Sequence, residues 1–308
     1  MTAKFAPDFE ATPRLRLDMN LGTLWALPAW SSAPVDFKQL APALRELGVE
    51  GVQGLDPSRF REAGFRVCGM ERVDGPGEAS RIAEDHRARG YDLTTLHVGN
   101  GLERDADMDA LAAAVIEASI RFDYPLFIET HRATMTQDMR RTIDLVERFP
   151  DLRFNADLSH WYTGQEMTYG DFEARLHALE PVFARVRYMH GRIGDPGAIQ
   201  RSLVASAGEP FVADFRRMWR ACFRGFLETA APGEVLPFAP ELLPHSVKPR
   251  GKSEIKLYYA RLATTGKGRL SEESDRWVDA KAMLALARED FDIEAAERQS
   301  SKRRSASR

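Results

Sequence analysis

The sequence predicts a single-domain (β/α)8 barrel of the α/β class, with long loops after its seventh and eighth strands. Three observations carry that expectation. Short β-rich runs alternate with amphipathic stretches along the 308 residues, and parallel strands need such helical crossovers. Eight of these units fit a closed barrel, typically ~250 residues plus decorations, better than an open doubly wound sheet. The composition, 44% hydrophobic and 29% charged, is that of a globular domain able to bury one large core.

The strands are expected at 15–21, 49–53, 65–69, 93–99, 126–130, 153–157, 186–190 and 235–241, each followed by a turn signal. Between the fourth and fifth, Met108, Leu111, Val115, Ala118 and Phe122 repeat at three- and four-residue steps, the apolar stripe of a helix. Met139, Ile143, Val146 and Phe149 repeat it in the next crossover, and Thr134 and Gln137 have the spacing of a capping box before it. Two stretches rich in Gly and Pro, 191–209 and 242–269, interrupt the rhythm and leave the C-terminal rim, where barrel active sites are built. Residues 1–13 are expected as a flexible N-terminal segment, 14–290 as the catalytic barrel and 291–308 as a disordered basic tail.

Several function classes lack support. No phosphate loop, dinucleotide fingerprint, HExxH helix or GxSxG elbow is present. A formal net charge of −3 argues against a nucleic-acid partner. Two cysteines, Cys68 and Cys222, make neither a disulfide framework nor a CxxC pair. No apolar run reaches the ~18 residues of a membrane span, so the expected setting is cytoplasmic, with no membrane partner.

The informative pattern is a polar residue closing an otherwise apolar strand. Glu129 closes the fifth, Asp157 the sixth, His190 the seventh and Glu241 the eighth. The first three are spaced by 28 and 33 residues, about one βα unit each, while the last step of 51 contains the 191–209 insert. Four successive strand ends converge above the barrel axis. Two Glu, one Asp and one His make an oxygen-rich site for one divalent ion, Mn²⁺ first, with Mg²⁺, Co²⁺ or Zn²⁺ as alternatives. His160 and His131 lie beside these ligands, and Arg192 follows His190 by two, so all three are candidates to contact substrate. Trp25 and Trp161 are candidates to stack on a sugar-like ring. His97, near the end of the fourth strand, reads equally as a structural or a functional residue.

The order Glu129, Asp157-x-x-His160, His190, Glu241 resembles the xylose-isomerase-like TIM barrels, the sugar isomerase/epimerase superfamily, over residues 14–290. In the ketose 3-epimerase branch the residues matching these four strand-end side chains hold one divalent metal. The resemblance implies that Glu129 and Glu241 also move the proton, with His160 as a further catalytic contact. It implies too that His160 and an arginine, here Arg192, hold substrate oxygens, although Arg192 lies closer to its His than the family arginine does. The expected activity is isomerisation or epimerisation of a carbohydrate through an enediolate. The alternative is elimination of an aglycone from 3-keto-glycosides. Apurinic endonucleases of the superfamily need a further Asp-x-His where this chain reads Asp195-Pro-Gly, so that activity is disfavoured. A non-catalytic sugar binder is a further possibility, and a homo-oligomer is left open. The 242–269 stretch begins beside the last ligand. It is expected to cover the site and bring the charges of Lys248, Arg250, Lys252 and Lys256 over it.

Overall fold

The strands β1 (Arg14–Asn20), β2 (Val49–Gln53), β3 (Arg66–Val73), β4 (Thr94–Val98), β5 (Leu126–Glu129), β6 (Phe154–Ala156), β7 (Val186–Gly191) and β8 (Val235–Pro240) close into one barrel. All neighbours pair in parallel, and β1 returns to β8 with Arg14 opposite Val235. This computed structural model describes residues 12–54, 58–249, 251–264, 266 and 268–306. Each barrel strand falls on an expected one; β3 alone runs clearly further, to Val73.

The strand alternation sorts side chains between two layers. Leu17 and Met19 of β1 join the core packed between barrel and helices, whereas Arg16 and Asp18 pair with each other out of water. Arg16 donates to both Asp18 oxygens, at 2.7 and 2.6 Å. Gly51 on β2 is required beside them, because a Cβ there would collide with the Asp18 carboxylate.

The outer layer comprises α1 (Phe37–Glu46), α2 (Ser58–Glu62), α3 (Pro76–Ala88), α4 (Asp105–Phe122), α5 (Met139–Arg148), α6 (Ser159–Gly164), α7 (Phe172–Ala178), α8 (Glu180–Phe183), α9 (Pro210–Thr229) and α10 (Arg276–Ala306). Helix α4 buries Met108, Leu111, Val115 and Ala118, the stripe read from sequence. The α5 boundary differs from expectation. Its N-cap is Asp138, which accepts from the Arg141 amide at 2.9 Å, and Thr134 is used in the preceding turn instead.

The largest correction is at the C-terminal end. Helix α10 continues to Ala306, through most of the stretch expected as a disordered tail, while 307–308 lie outside the described residues. A partner face on α9 anchors the helix where the expected tail begins. Asp290 and Glu294, both buried, accept from Arg216 and from Arg220 and Arg224, and Phe291 packs edge-on against Phe223 with ring centres 5.5 Å apart. Residues 1–11 of the expected flexible segment lie outside the described residues.

Stretch 242–269 contains structure of its own. β9 (Ser246–Val247) pairs with β10 (Ile255–Lys256), and β11 (Leu262–Thr264) with β12 (Leu270–Glu272), both antiparallel. No helix among the described residues is long and apolar enough to cross a membrane.

Candidate metal centre

Glu129, Asp157, His190 and Glu241 are carried to one point by the ends of β5, β6, β7 and β8, and all four are buried. Each offers a ligand atom, and these atoms lie within 4.8 Å of one another. His190 Nδ1 sits among the carboxylates, 3.5 Å from Glu129 Oε2, 4.0 Å from Asp157 Oδ2 and 3.4 Å from Glu241 Oε2.

The surrounding hydrogen bonds fix how each group points. His190 Nε2 lies 2.6 Å from Gln53 Oε1, so the proton held there leaves Nδ1 for the centre. Gln53 is itself oriented, donating to Thr95 Oγ1 at 2.8 Å and accepting from Asn20 Nδ2 at 2.9 Å. Asn20 also donates to Glu241 Oε1 at 3.0 Å, and Asn155 donates to Glu129 Oε2 at 2.9 Å. Asp157 Oδ1 accepts from the Ser159 amide and hydroxyl. Its other oxygen, Oδ2, is buried without a hydrogen-bond partner.

Arg192 is buried and bridges two of the candidate ligands. Its guanidinium contacts Glu241 Oε2 and lies 3.1 Å from Asp157 Oδ2, while Nε donates to the Glu241 carbonyl at 2.9 Å. Three carboxylates against this one cation leave two negative charges in a water-poor site. A divalent ion balances that charge, and the set of oxygens with one imidazole nitrogen is of the type hard and borderline ions take. The residues present therefore fit such an ion.

The protonation pattern without an ion reflects the same imbalance. Burial alone would lower the pKa of His190, but Glu241 and Glu129 outweigh it and hold the ring up to about 9. Burial would raise Glu129, yet His97 and His190 keep it well below the usual carboxylate range. His160 is pushed well below its ordinary value by burial, assisted by His131 and Arg192.

His160 Nε2 lies 3.5 Å from Asp157 Oδ2 and 3.4 Å from Arg192 Nη1. The His131 ring is layered between His160 and His97, with ring centres 3.8 and 4.2 Å away. Burial lowers the pKa of His131 to about 4, so this stack holds a neutral central ring. His97 Nε2 stands 3.1 Å from Glu129 Oε1, and His97, Glu129 and His131 form a second set of mutually close ligand atoms.

Trp161 does not join the centre as expected. Trp161 is 1% exposed within the core and donates Nε1 to the Thr136 carbonyl at 2.8 Å, so its faces serve packing. Trp25 stays on the rim, 41% exposed, where its carbonyl accepts from Arg276 at 2.7 Å. Of the loop cations, Lys256 pairs with Glu254, and Arg250 lies outside the described residues. The loop reaches the centre by another residue, Tyr259, whose ring centre is 4.7 Å from the Arg192 guanidinium carbon.

Sequence reasoning missed Asn20, Gln53, Asn155 and Tyr259. The first two end β1 and β2, and Asn155 lies two before Asp157 on the same face of β6, so the strand-end rule that found the ligands applies to them as well. No local pattern marks Tyr259.

No protein-family model matches the chain, and no curated protein matches it. Solved structures do. A sugar phosphate isomerase/epimerase from Parabacteroides distasonis matches with a TM-score of 0.51 at 10% identity, covering 94% of this chain and 98% of that one. A xylose isomerase-like TIM barrel protein from Mycobacterium smegmatis, in complex with magnesium, matches with a TM-score of 0.49 at 11% identity, over 90% and 97%. A 3-keto-D-glucoside 4-epimerase from E. coli gives 0.48 at 13% identity, over 89% and 99%. The likeness to the Parabacteroides structure is one of fold, a closed eight-stranded parallel barrel ringed by helices.

Proposed function

We propose that this protein is a divalent-metal-dependent sugar isomerase or epimerase that moves a proton α to a carbonyl through an enediolate. The observation that carries the reading is the convergence of Glu129, Asp157, His190 and Glu241 within 4.8 Å, at the strand ends of a barrel of this fold. Mn²⁺ is the ion we assign first, the substrate is a small carbohydrate, and the setting is cytoplasmic.

When bound, the ion would stabilise negative charge developing on the substrate carbonyl and adjacent hydroxyl oxygens. The remaining work belongs to the chain. One of Glu129 and Glu241, as carboxylate, takes the α-proton; the other, as carboxylic acid, returns a proton to the enediolate. Return to the same carbon from the opposite face gives the epimer, and return to the neighbouring carbon gives the isomer. Arg192 holds Glu241 at two points, its backbone carbonyl and its carboxylate, and so fixes the reach of that acid–base group. His160, beside Asp157 and Arg192, would donate to a substrate oxygen. His131 and Arg192 complete the substrate contacts, and Tyr259 restricts water above them.

With Mn²⁺ supplied, the protein should exchange the α-proton of a ketose or 3-keto-sugar into D₂O, with aglycone release followed in parallel to detect elimination instead. Glu241→Gln should keep the fold and lower exchange by at least 10²-fold, because an amide cannot accept the proton. Exchange by that variant at the wild-type rate would refute the assignment.

A further inference from the structure

We propose that Arg132 and Tyr259 form a binding site for an anionic group of the substrate, a phosphate ester or a carboxylate, beside the metal centre. The inference rests on the sugar reading above and narrows its substrate to charged carbohydrates.

The first observation is an uncommitted cation. Arg72, Arg141, Arg201, Arg261 and Arg276 surround the same C-terminal rim, and each lies within ion-pair distance of a carboxylate. Arg192 is spent on Asp157 and Glu241. Arg132, exposed and next to His131, has no carboxylate within that distance among the described residues. Its described neighbour is the Tyr259 ring, 5.6 Å from the guanidinium carbon. That ring also lies over Arg192, so a single aromatic side chain ties the free cation to the one that touches the candidate ligands.

The second observation is how the two residues are held. Ala133, after Arg132, has φ of 56°, and Tyr258, before Tyr259, has φ of 60°; both are left-handed conformations that residues with a Cβ rarely adopt. Surrounding bonds enforce each. Thr134 Oγ1 donates to the His131 carbonyl at 2.6 Å, and Thr136 Oγ1 donates to the Glu129 carbonyl at 2.6 Å while accepting from the His131 amide. Across the gap, the Leu257 and Tyr258 amides both donate to the His245 carbonyl, at 2.8 and 2.9 Å. Hydrogen bonds thus fix the turn that carries Arg132 and the turn that carries Tyr259, so the contact between the two side chains is held from both sides. A guanidinium with one face on an aromatic ring keeps its N–H edge free, and that planar edge suits the paired oxygens of phosphate or carboxylate.

The test is equilibrium binding by calorimetry, with and without Mn²⁺, of D-fructose, D-fructose 6-phosphate and D-fructuronate to the full chain. At least one anionic ketose should bind tenfold or more tightly than D-fructose at 50 mM NaCl, and that advantage should shrink at 1 M NaCl. Preference for the phosphate arm identifies an ester, and preference for the carboxylate arm a sugar acid. Arg132→Gln should abolish the advantage and Arg132→Lys should retain part of it. Tyr259→Phe should preserve it, whereas Tyr259→Ala should weaken it. Equal binding of neutral and anionic ketoses, no binding by either anionic ketose, or an advantage surviving in Arg132→Gln would overturn the proposal. None of these readouts needs turnover, so a protein that binds the anion but exchanges no proton would refute the isomerase reading alone.

Discussion

Gln53 orients the candidate ligand His190 without itself belonging to the four-residue cluster. Its Oε1 faces His190 Nε2 at 2.6 Å, and its amide is held by Thr95 and Asn20, so the carbonyl cannot turn away. That contact selects which imidazole nitrogen faces the carboxylates. Gln53→Ala should lower Mn²⁺ affinity by about 10–100-fold, as read by calorimetric titration, whereas Gln53→Glu, which keeps an acceptor at the same place, should retain most of it. Equal affinity in Gln53→Ala would show that the ring needs no such guide. The four ligand-type residues were legible because each is a charged or polar group closing an apolar strand. Asn155 and Gln53 were not singled out because an amide carries no chemistry of its own in sequence. Their importance exists only once neighbouring strand ends are brought side by side.

At the scale of elements, the α9–α10 pair illustrates a signal hidden by composition. The basic, polar end of the sequence has the look of a solvated tail, yet Asp290, Phe291 and Glu294 lie on the α10 face that meets α9. Glu294 is 2% exposed and accepts from both Arg220 and Arg224, which are themselves partly in water. Glu294→Ala should destabilise the fold by about 1.5–3 kcal/mol, checked by urea unfolding at pH 7. A change below about 0.5 kcal/mol would mean the helix contributes little. Sequence reading located the strands and the α4 and α5 stripes because apolar periodicity repeats within each segment. The anchoring of α10 at Asp290 and Glu294 depends on arginines about 70 residues earlier, and no window of local sequence contains both partners.

At the scale of the whole molecule, closure of the barrel brings four distant strand ends together, and the 242–269 stretch lays Tyr259 against Arg192. The barrel follows from alternation and unit length, both local properties. The Tyr259 contact does not, since that ring meets Arg192 and Arg132 only through the path of the 242–269 stretch. The central claim is that these strand ends hold one divalent ion. Calorimetric titration of metal-stripped protein with Mn²⁺ tests it most directly. The account predicts one ion per chain, with a gain of ~2.7 kcal/mol in stability at a hundredfold excess over Kd, and loss of both effects in Asp157→Asn/His190→Ala. Absence of uptake by the wild-type chain, or wild-type uptake by that double variant, would contradict it.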